Sequence, residues 1–266
     1  FRRNSDRTPR RRFRRGVYLL PSLFTLGNMF CGYACIVYAM RNEFETAAPF
    51  IGIAFILDGL DGRIARLTGG ESEFGLQFDS LADIISFGVA PAVLSFTWGL
   101  QPLGRLGWAA GFMFVACAAM RLARFNIQHG GGDKRYFVGM PSPAAAAVPA
   151  ATVYAAPWAS LSDYREALPV LLMVLLPAVL MVSTIRFRSF KNLDLQSRKP
   201  YSVLIFIALG VAAIWTHPRG VLVILAYGYL ASAFIGQAIT RLRRRQGDRH
   251  GGADATLASD VNRPAI

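Results

Sequence analysis

The sequence predicts an all-α polytopic membrane protein with about eight transmembrane helices. Hydrophobic residues make up 53% of the 266 positions and charged residues only 17%, and the mean hydropathy is positive, at +0.36. Apolar runs of about 20 residues, the length that crosses a bilayer as a helix, recur along the chain. The predicted spans are Pro21–Met40, Ala47–Arg66, Gly75–Trp98, Gly107–Arg124, Ser142–Trp158, Ala167–Ile185, Tyr201–Thr216 and Gly220–Ile239.

Positive charge is distributed unevenly between the segments that connect these spans. If the N-terminus lies in the cytoplasm, all but four of the 29 lysines and arginines face that side, the exceptions being Arg41, Arg105, Arg165 and Arg219. The positive-inside rule therefore predicts cytoplasmic termini in a multi-pass protein of the cell inner membrane. The basic arm at 1–18 abuts a span, so we expect it to set topology and contact anionic lipid rather than nucleic acid.

The first span carries polar side chains within an apolar run, namely Thr25 and Asn28. Two interpretations of Asn28 stay open, because an amide inside a membrane serves equally to join helices and to contact a substrate.

The second and third spans contain four carboxylates, Asp58, Asp61, Asp79 and Asp83, within the stretch DGLDGRIARLTGGESEFGLQFDSLAD. Each would cost at least about 3 kcal/mol in hydrocarbon. Asp58 and Asp61 are spaced i, i+3, and Asp79 and Asp83 i, i+4, so each pair lies on one helix face. A cluster of this kind needs a cation, and carboxylate oxygens suit Mg²⁺ or Mn²⁺.

Small residues accompany the carboxylates. Gly62 and Ala65 continue the face of the first pair, and Gly75 continues that of the second. The segment 68–70, Thr-Gly-Gly, breaks the helix between them, which predicts an antiparallel hairpin with both pairs at similar depth. The missing side-chain volume predicts a hollow beside the acids, whose mouth is on the cytoplasmic side.

The end of the fourth span and the start of the fifth carry residues that could bind an anion. Arg121 and Arg124 are spaced i, i+3 at the predicted cytoplasmic end, with Asn126 beyond them. A guanidinium fork fits a carboxylate or phosphate, although both arginines would serve equally as headgroup anchors. Ser142 and Pro143 are typical of a helix N-cap and first position. The last three spans add little, and the three cysteines, all within spans, predict core packing.

The pattern Asp-x-x-Asp-Gly-x-x-Ala-Arg, eight residues, Gly-x-x-x-Asp-x-x-x-Asp resembles the signature of the CDP-alcohol phosphotransferases. Its eight positions are Asp58, Asp61, Gly62, Ala65, Arg66, Gly75, Asp79 and Asp83. The segments SFGVAPA at 86–92, RLARFN at 121–126 and FVGMPSPAAA at 137–146 resemble the bacterial and archaeal phosphatidylserine synthase branch of that family. Ser22 departs from the pattern, because family members often have asparagine there.

The resemblance implies a transmembrane catalytic domain over 19–240, and the polar, Gly-rich composition beyond it predicts a basic, then disordered, tail over 241–266. The resemblance also implies metal-assisted transfer of a phosphatidyl group from CDP-diacylglycerol to L-serine, with release of CMP, by a homodimer in membrane lipid. The implied metal ligands are Asp58, Asp61, Asp79 and Asp83, with Asp83 also the general base. The implied nucleotide contacts are Thr25, Gly62, Ala65, Arg66 and Gly75, and the suggested acceptor contacts are Arg121, Arg124 and Asn126.

Two alternatives remain open at the level of sequence. The first is the same chemistry with glycerol phosphate or inositol phosphate as the acceptor, which should demand more basic residues near the site. The second is a metal-ion transporter that uses the intramembrane acids, although this leaves Arg66 and the hollow without a role.

Overall fold

The computed structural model describes residues 19–68, 72–128, 137–159, 163–183, 186–187, 200–232 and 234. The predicted arm at 1–18 and the predicted tail at 241–266 lie outside these ranges. The described helices are α1 (Leu19–Met40), α2 (Phe44–Thr68), α3 (Glu73–Leu103), α4 (Arg105–Gln128), α5 (Ser142–Ala155), α6 (Tyr164–Val182), α7 (Pro200–Thr216) and α8 (218–232). The predicted all-α fold class is confirmed.

Four of the described helices are long and apolar enough to cross a membrane, namely α1, α3, α4 and α6. By this measure the expected eight spans are not found. The carboxylates and Arg63 make α2 too charged, while α5 has only 14 residues and α7 only 17. Large apolar side chains such as Phe30 and Phe112 are exposed on the outer surface, as expected for a protein that faces lipid.

Helix α3 is continuous but not regular. Its α-helical segments Glu73–Asp83 and Ala90–Ser95 alternate with wider π-helical turns at Ile84–Val89 and Phe96–Leu100. The first π turn begins one residue after Asp83 and precedes Pro91, which donates no backbone hydrogen bond to the preceding turn. Single π turns often occur at functional sites, and this one begins directly after the α-helical segment that carries Asp79 and Asp83.

The core is built from small side chains, which lets the helices approach closely. Helix α1 packs along α2 and also contacts the first half of α3. A Cβ atom added at Gly32 of α1 would lie 2.6 Å from Ser86 Oγ and 2.8 Å from Ser86 Cα. Only glycine fits at this crossing. All three cysteines are free and buried, so their expected packing role is confirmed.

At one end of the bundle, α8 is joined to two other helices. Arg219 forms an ion pair with Glu45 at the start of α2. Its guanidinium also lies over the rings of Tyr154 and Trp158, 5.8 and 5.1 Å from their centroids. These contacts bring the α1–α2 turn, the end of α5 and the start of α8 to the same end.

The opposite end carries a short antiparallel strand pair that was not predicted. Phe137–Val138 (β1) pairs with Arg186–Phe187 (β2), linking the segment before α5 to the segment after α6. Gly139, directly after β1, has φ +90°, and a Cβ atom there would lie 2.4 Å from the carbonyl oxygen of Met181. This close approach also requires glycine.

Candidate active site

The predicted hairpin brings the carboxylates of α2 and α3 together. One carboxylate oxygen each from Asp58, Asp61 and Asp79 lies within 4.8 Å of the others. Asp61 is buried, whereas Asp58 and Asp79 are half-buried. Asp83, one turn farther along α3, is buried and is not part of this group of three.

These residues fit a divalent cation. Three anionic oxygens this close repel one another, and a cation between them would reverse that repulsion. Asp79 Oδ1 is buried and accepts no hydrogen bond from the described residues. An anionic oxygen in that state is what a hard cation such as Mg²⁺ or Mn²⁺ would coordinate.

Helix α1 supplies neutral hydrogen bonds to two of the acids. Thr25 Oγ1 donates to Asp61 Oδ2 at 2.9 Å, and Asn28 Nδ2 donates to Asp83 Oδ1 at 3.2 Å. Both donors are buried. Thr25 is therefore held against a carboxylate, and its implied nucleotide contact stays a prediction.

The small residues of the signature differ in their surroundings, and the predicted hollow beside the acids stays a prediction. A Cβ atom at Gly62 would meet no atom within 4 Å, and the same holds at Gly59. Ala65 is half-buried on the same helix. Gly75 has a second local role, because its N–H donates to Ser72 Oγ at 2.9 Å and so caps the start of α3.

The basic residues differ in where they lie. Arg66 is exposed at the end of α2, where its Nε donates to the carbonyl oxygen of Gly62 at 2.9 Å. Arg121 is half-buried and interacts electrostatically with Asp58 and Asp83. Arg124, one turn later, is exposed. Of the two arginines suggested for the acceptor, the structure thus brings Arg121 to the carboxylates.

Arg121 is oriented by the start of α5. Its Nη1 donates to Ser142 Oγ at 2.8 Å, and its guanidinium lies 5.9 Å from the ring centroid of Phe125. The structure begins α5 at Ser142 and places Pro141 at the N-cap, so the expected capping role of Ser142 is wrong. The hydroxyl instead fixes the arginine.

Asn126 contacts α3 rather than the carboxylates themselves. Its amide exchanges hydrogen bonds with Ser80, the residue after Asp79, at 3.0 and 3.3 Å. Its suggested contact with the acceptor stays a prediction. Ser80 and Ser86 were not among the predicted site residues, although both lie within one or two turns of Asp79 or Asp83 on α3, and that spacing was the available signal.

Comparison with known proteins gives a consistent family. The family model described as CDP-alcohol phosphatidyltransferase matches residues 18–185. A Helicobacter pylori protein named CDP-diacylglycerol–serine O-phosphatidyltransferase is 43% identical over 194 residues, covering 73% of this chain and 81% of its own length. A Mycobacterium leprae protein of the same name is 43% identical over 52% of this chain and 48% of its own length. An archaetidylserine synthase of Methanothermobacter thermautotrophicus is 34% identical over 63% of this chain and 69% of its own length.

Proposed function

The chain belongs to the CDP-alcohol phosphatidyltransferase family, and on that premise we propose that it is a CDP-diacylglycerol–serine O-phosphatidyltransferase. It transfers a phosphatidyl group from CDP-diacylglycerol to the hydroxyl of L-serine, forming phosphatidylserine and CMP. The observation that carries this proposal is the convergence of Asp58, Asp61 and Asp79, with Arg121 beside them. The transporter alternative is set aside, because the family is one of transferases.

The three converging carboxylates would hold a divalent cation, Mg²⁺ or Mn²⁺, with Asp83 close by. That cation would neutralise the pyrophosphate charge and so make the phosphorus accessible to a nucleophile. The open space beside Gly59 and Gly62 gives the nucleotide room to approach the acids. Arg66, at the end of α2, and Thr25, on α1 against Asp61, complete the proposed nucleotide surface.

Asp83 is the proposed general base. Serine's hydroxyl is a poor nucleophile at neutral pH and needs a proton acceptor within hydrogen-bond reach. Its oxygen forms a bond to the lipid-bearing phosphorus, the bond from that phosphorus to the CMP oxygen breaks, and CMP leaves with the electron pair. The hydroxyl proton passes to Asp83, whose carboxylate is held in place by Asn28.

Arg121 is the proposed partner of the serine carboxylate. It is half-buried, interacts electrostatically with Asp58 and Asp83, and is held by Ser142. A phosphate-bearing acceptor would add a larger negative charge next to four acids. Among the described residues, Arg121 is the basic side chain that interacts electrostatically with Asp58 and Asp83. One such arginine suits a carboxylate, which favours serine over glycerol phosphate or inositol phosphate.

The arrangement in the cell is part of the same proposal. A site that opens at the cytoplasmic face of the inner membrane would take its soluble acceptor and release CMP on that side. The uneven distribution of lysine and arginine supports this orientation. The homodimer implied by the resemblance would leave both sites open to lipid and cytoplasm, and cross-linking in membranes would test it.

An acceptor panel tests the proposed activity. The purified protein is given CDP-diacylglycerol in mixed micelles with Mg²⁺ or Mn²⁺, and CMP release is measured with L-serine, glycerol phosphate or inositol phosphate. We expect CMP and phosphatidylserine when L-serine is the acceptor, and no CMP with either phosphate-bearing acceptor. No product should form when EDTA removes the cation. Asp83→Asn serves as the inactive control. CMP release with a phosphate acceptor and none with serine would refute the serine assignment and leave the family intact.

A further inference from the structure

Asn28 has a fully buried polar side chain beside the carboxylates. Its exposed fraction is 0%, and its Nδ2 donates to Asp83 Oδ1 at 3.2 Å. Its backbone carbonyl accepts a hydrogen bond from Ser86 Oγ at 2.8 Å, next to the close crossing of Gly32 with Ser86. Both the side chain and the backbone carbonyl of Asn28 are thus hydrogen-bonded to α3.

The other half of that amide has no hydrogen-bond partner among the described residues. Asn28 Oδ1 is buried and accepts no hydrogen bond from the described residues. The amide turns its NH₂ group toward Asp83, so its oxygen lies on the other side of the group. Leaving a buried carbonyl unsatisfied costs about 1–3 kcal/mol, which needs an explanation. The explanation must be a group that donates hydrogen bonds.

The acceptor substrate supplies such a group. L-serine carries a hydroxyl, a carboxylate and an ammonium, and the first two are already assigned to Asp83 and Arg121. The ammonium still needs an acceptor. A neutral carbonyl can bind it without adding a fifth negative charge to the site, and that carbonyl belongs to the same amide that holds the base.

We propose that Asn28 Oδ1 binds the α-ammonium of the acceptor, so that Asn28 selects amino alcohols bearing a carboxylate. This inference rests on the proposed function. It gives serine three contacts: hydroxyl to Asp83, carboxylate to Arg121 and ammonium to Asn28. It also adds a reason for rejecting glycerol phosphate and inositol phosphate, because neither carries an ammonium group and both would leave the carbonyl unsatisfied.

The test separates ammonium binding from mere support of Asp83. The kcat/KM values for L-serine and for 3-hydroxypropionate, which is serine without its amino group, are measured for the wild type and for Asn28→Ala. If Asn28 only supports Asp83, the substitution lowers kcat/KM for both acceptors by the same factor. If Asn28 also binds the ammonium, kcat/KM for serine falls further than kcat/KM for 3-hydroxypropionate. We expect this additional loss to be about tenfold to a hundredfold, the effect of one hydrogen bond to a charged group. If transfer to 3-hydroxypropionate is below detection, its inhibition constant against serine replaces kcat/KM.

Three controls keep each outcome decisive. Ser86→Ala removes the bond to the Asn28 backbone and leaves the amide, so the ratio of the two acceptors should not change. The KM for CDP-diacylglycerol and the thermal unfolding temperature report whether Asn28→Ala is folded, and Asn28→Ser replaces it if it is not. The Mn²⁺ concentration for half-maximal activity shows whether the oxygen serves the metal instead.

Equal losses for both acceptors would overturn the inference, as would a raised Mn²⁺ requirement with an unchanged acceptor ratio. A wild-type protein that does not use serine at all would instead refute the proposed function, which the acceptor panel detects separately.

Discussion

The carboxylates of this site are oriented by uncharged residues. Thr25 and Asn28, on α1, each donate one hydrogen bond to an acid on another helix. Neutral donors fix the direction of a carboxylate without cancelling its charge, whereas a lysine or arginine in their place would compete with a metal. The cluster thus keeps its negative charge for a cation, and the cost is mutual repulsion whenever no cation is bound.

That repulsion makes the substitution Asp61→Asn informative. Asparagine keeps the shape of the side chain and can still accept the hydrogen bond from Thr25, but it removes one negative charge. We expect CMP release to fall by at least about a hundredfold, the upper end of what the loss of an outer-shell partner costs a metal site. Without metal, thermal stability should stay the same or rise, because like-charge repulsion decreases.

Asp163→Asn is the matched control, since Asp163 is exposed just before α6 and far along the chain from the signature. It should leave both CMP release and the unfolding temperature at wild-type values. Turnover of Asp61→Asn close to that of the wild type, without a raised Mn²⁺ requirement, would rule out a metal role for Asp61.

At the residue scale, spacing predicted that the two pairs of acids meet, and three of the four do, whereas Asp83 lies one turn farther along α3. Asp58, Asp61 and Asp79 fall on facing sides of a hairpin whatever surrounds it. Their hydrogen-bond partners could not be predicted in the same way, because pairing Thr25 with Asp61 depends on which face of α1 meets α2. Nor does the sequence distinguish Arg121 from Arg124, since the contact of Arg121 with Ser142 joins two segments distant in the chain.

At the scale of elements, the crossing of α1 with α3 determines the geometry of the site. Asn28 and Gly32 are one turn apart on α1, and Ser86 contacts both of them. The crossing also coincides with the π turn Ile84–Val89, which begins directly after Asp83. A change in the distance between α1 and α3 should therefore alter both stability and the position of the base.

Gly32→Ala tests this dependence. The added methyl group would lie 2.6 Å from Ser86 Oγ and 2.8 Å from Ser86 Cα, and because the second atom belongs to the backbone, a side-chain rotation cannot relieve the contact. We expect a loss of about 1–3 kcal/mol in stability, as for other overpacked cores, and a parallel loss of transfer activity. Thermal unfolding in detergent and CMP release measure the two effects.

Gly52→Ala on α2 is the control for this substitution, because its added methyl group would meet no atom within 4 Å. It should be neutral or stabilising by up to about 1 kcal/mol, the difference in helix propensity between the two residues. A Gly32→Ala protein as stable and active as Gly52→Ala would show that the crossing tolerates separation.

The apolar runs of the sequence predict where the helices lie, but they do not predict the irregular features of the fold. Each predicted span overlaps a described helix, because a run of about 20 apolar residues has few alternatives in a membrane. The π turns in α3 and the β1–β2 pair depend on contacts between distant segments, such as Gly139 with Met181, and hydropathy carries no signal for them. The length of α5 was also overestimated, since it ends at Ala155 rather than Trp158.

At the scale of the whole molecule, the two ends of the bundle differ in charge and in chemistry. Arg219 joins the α1–α2 turn, the end of α5 and the start of α8 at one end, through Glu45, Tyr154 and Trp158. This is one of the four basic residues assigned to the outer side by the charge distribution. The carboxylates, by contrast, lie toward the end where α2 passes into α3.

This arrangement predicts that 163 faces outside and 246 faces the cytoplasm. The native cysteines are buried, so a single introduced cysteine should dominate the reaction with a membrane-impermeant maleimide. Asp163→Cys should be labelled in intact cells with a permeable outer envelope, because Asp163 is exposed at the start of α6. Gln246→Cys should react only after the inner membrane is opened, since the basic residues around it favour the cytoplasm. The unsubstituted protein is the control for background labelling. The reverse pattern would place the mouth of the site outside, and a cytoplasmic supply of serine could then not reach Asp83 and Arg121 by the route proposed here.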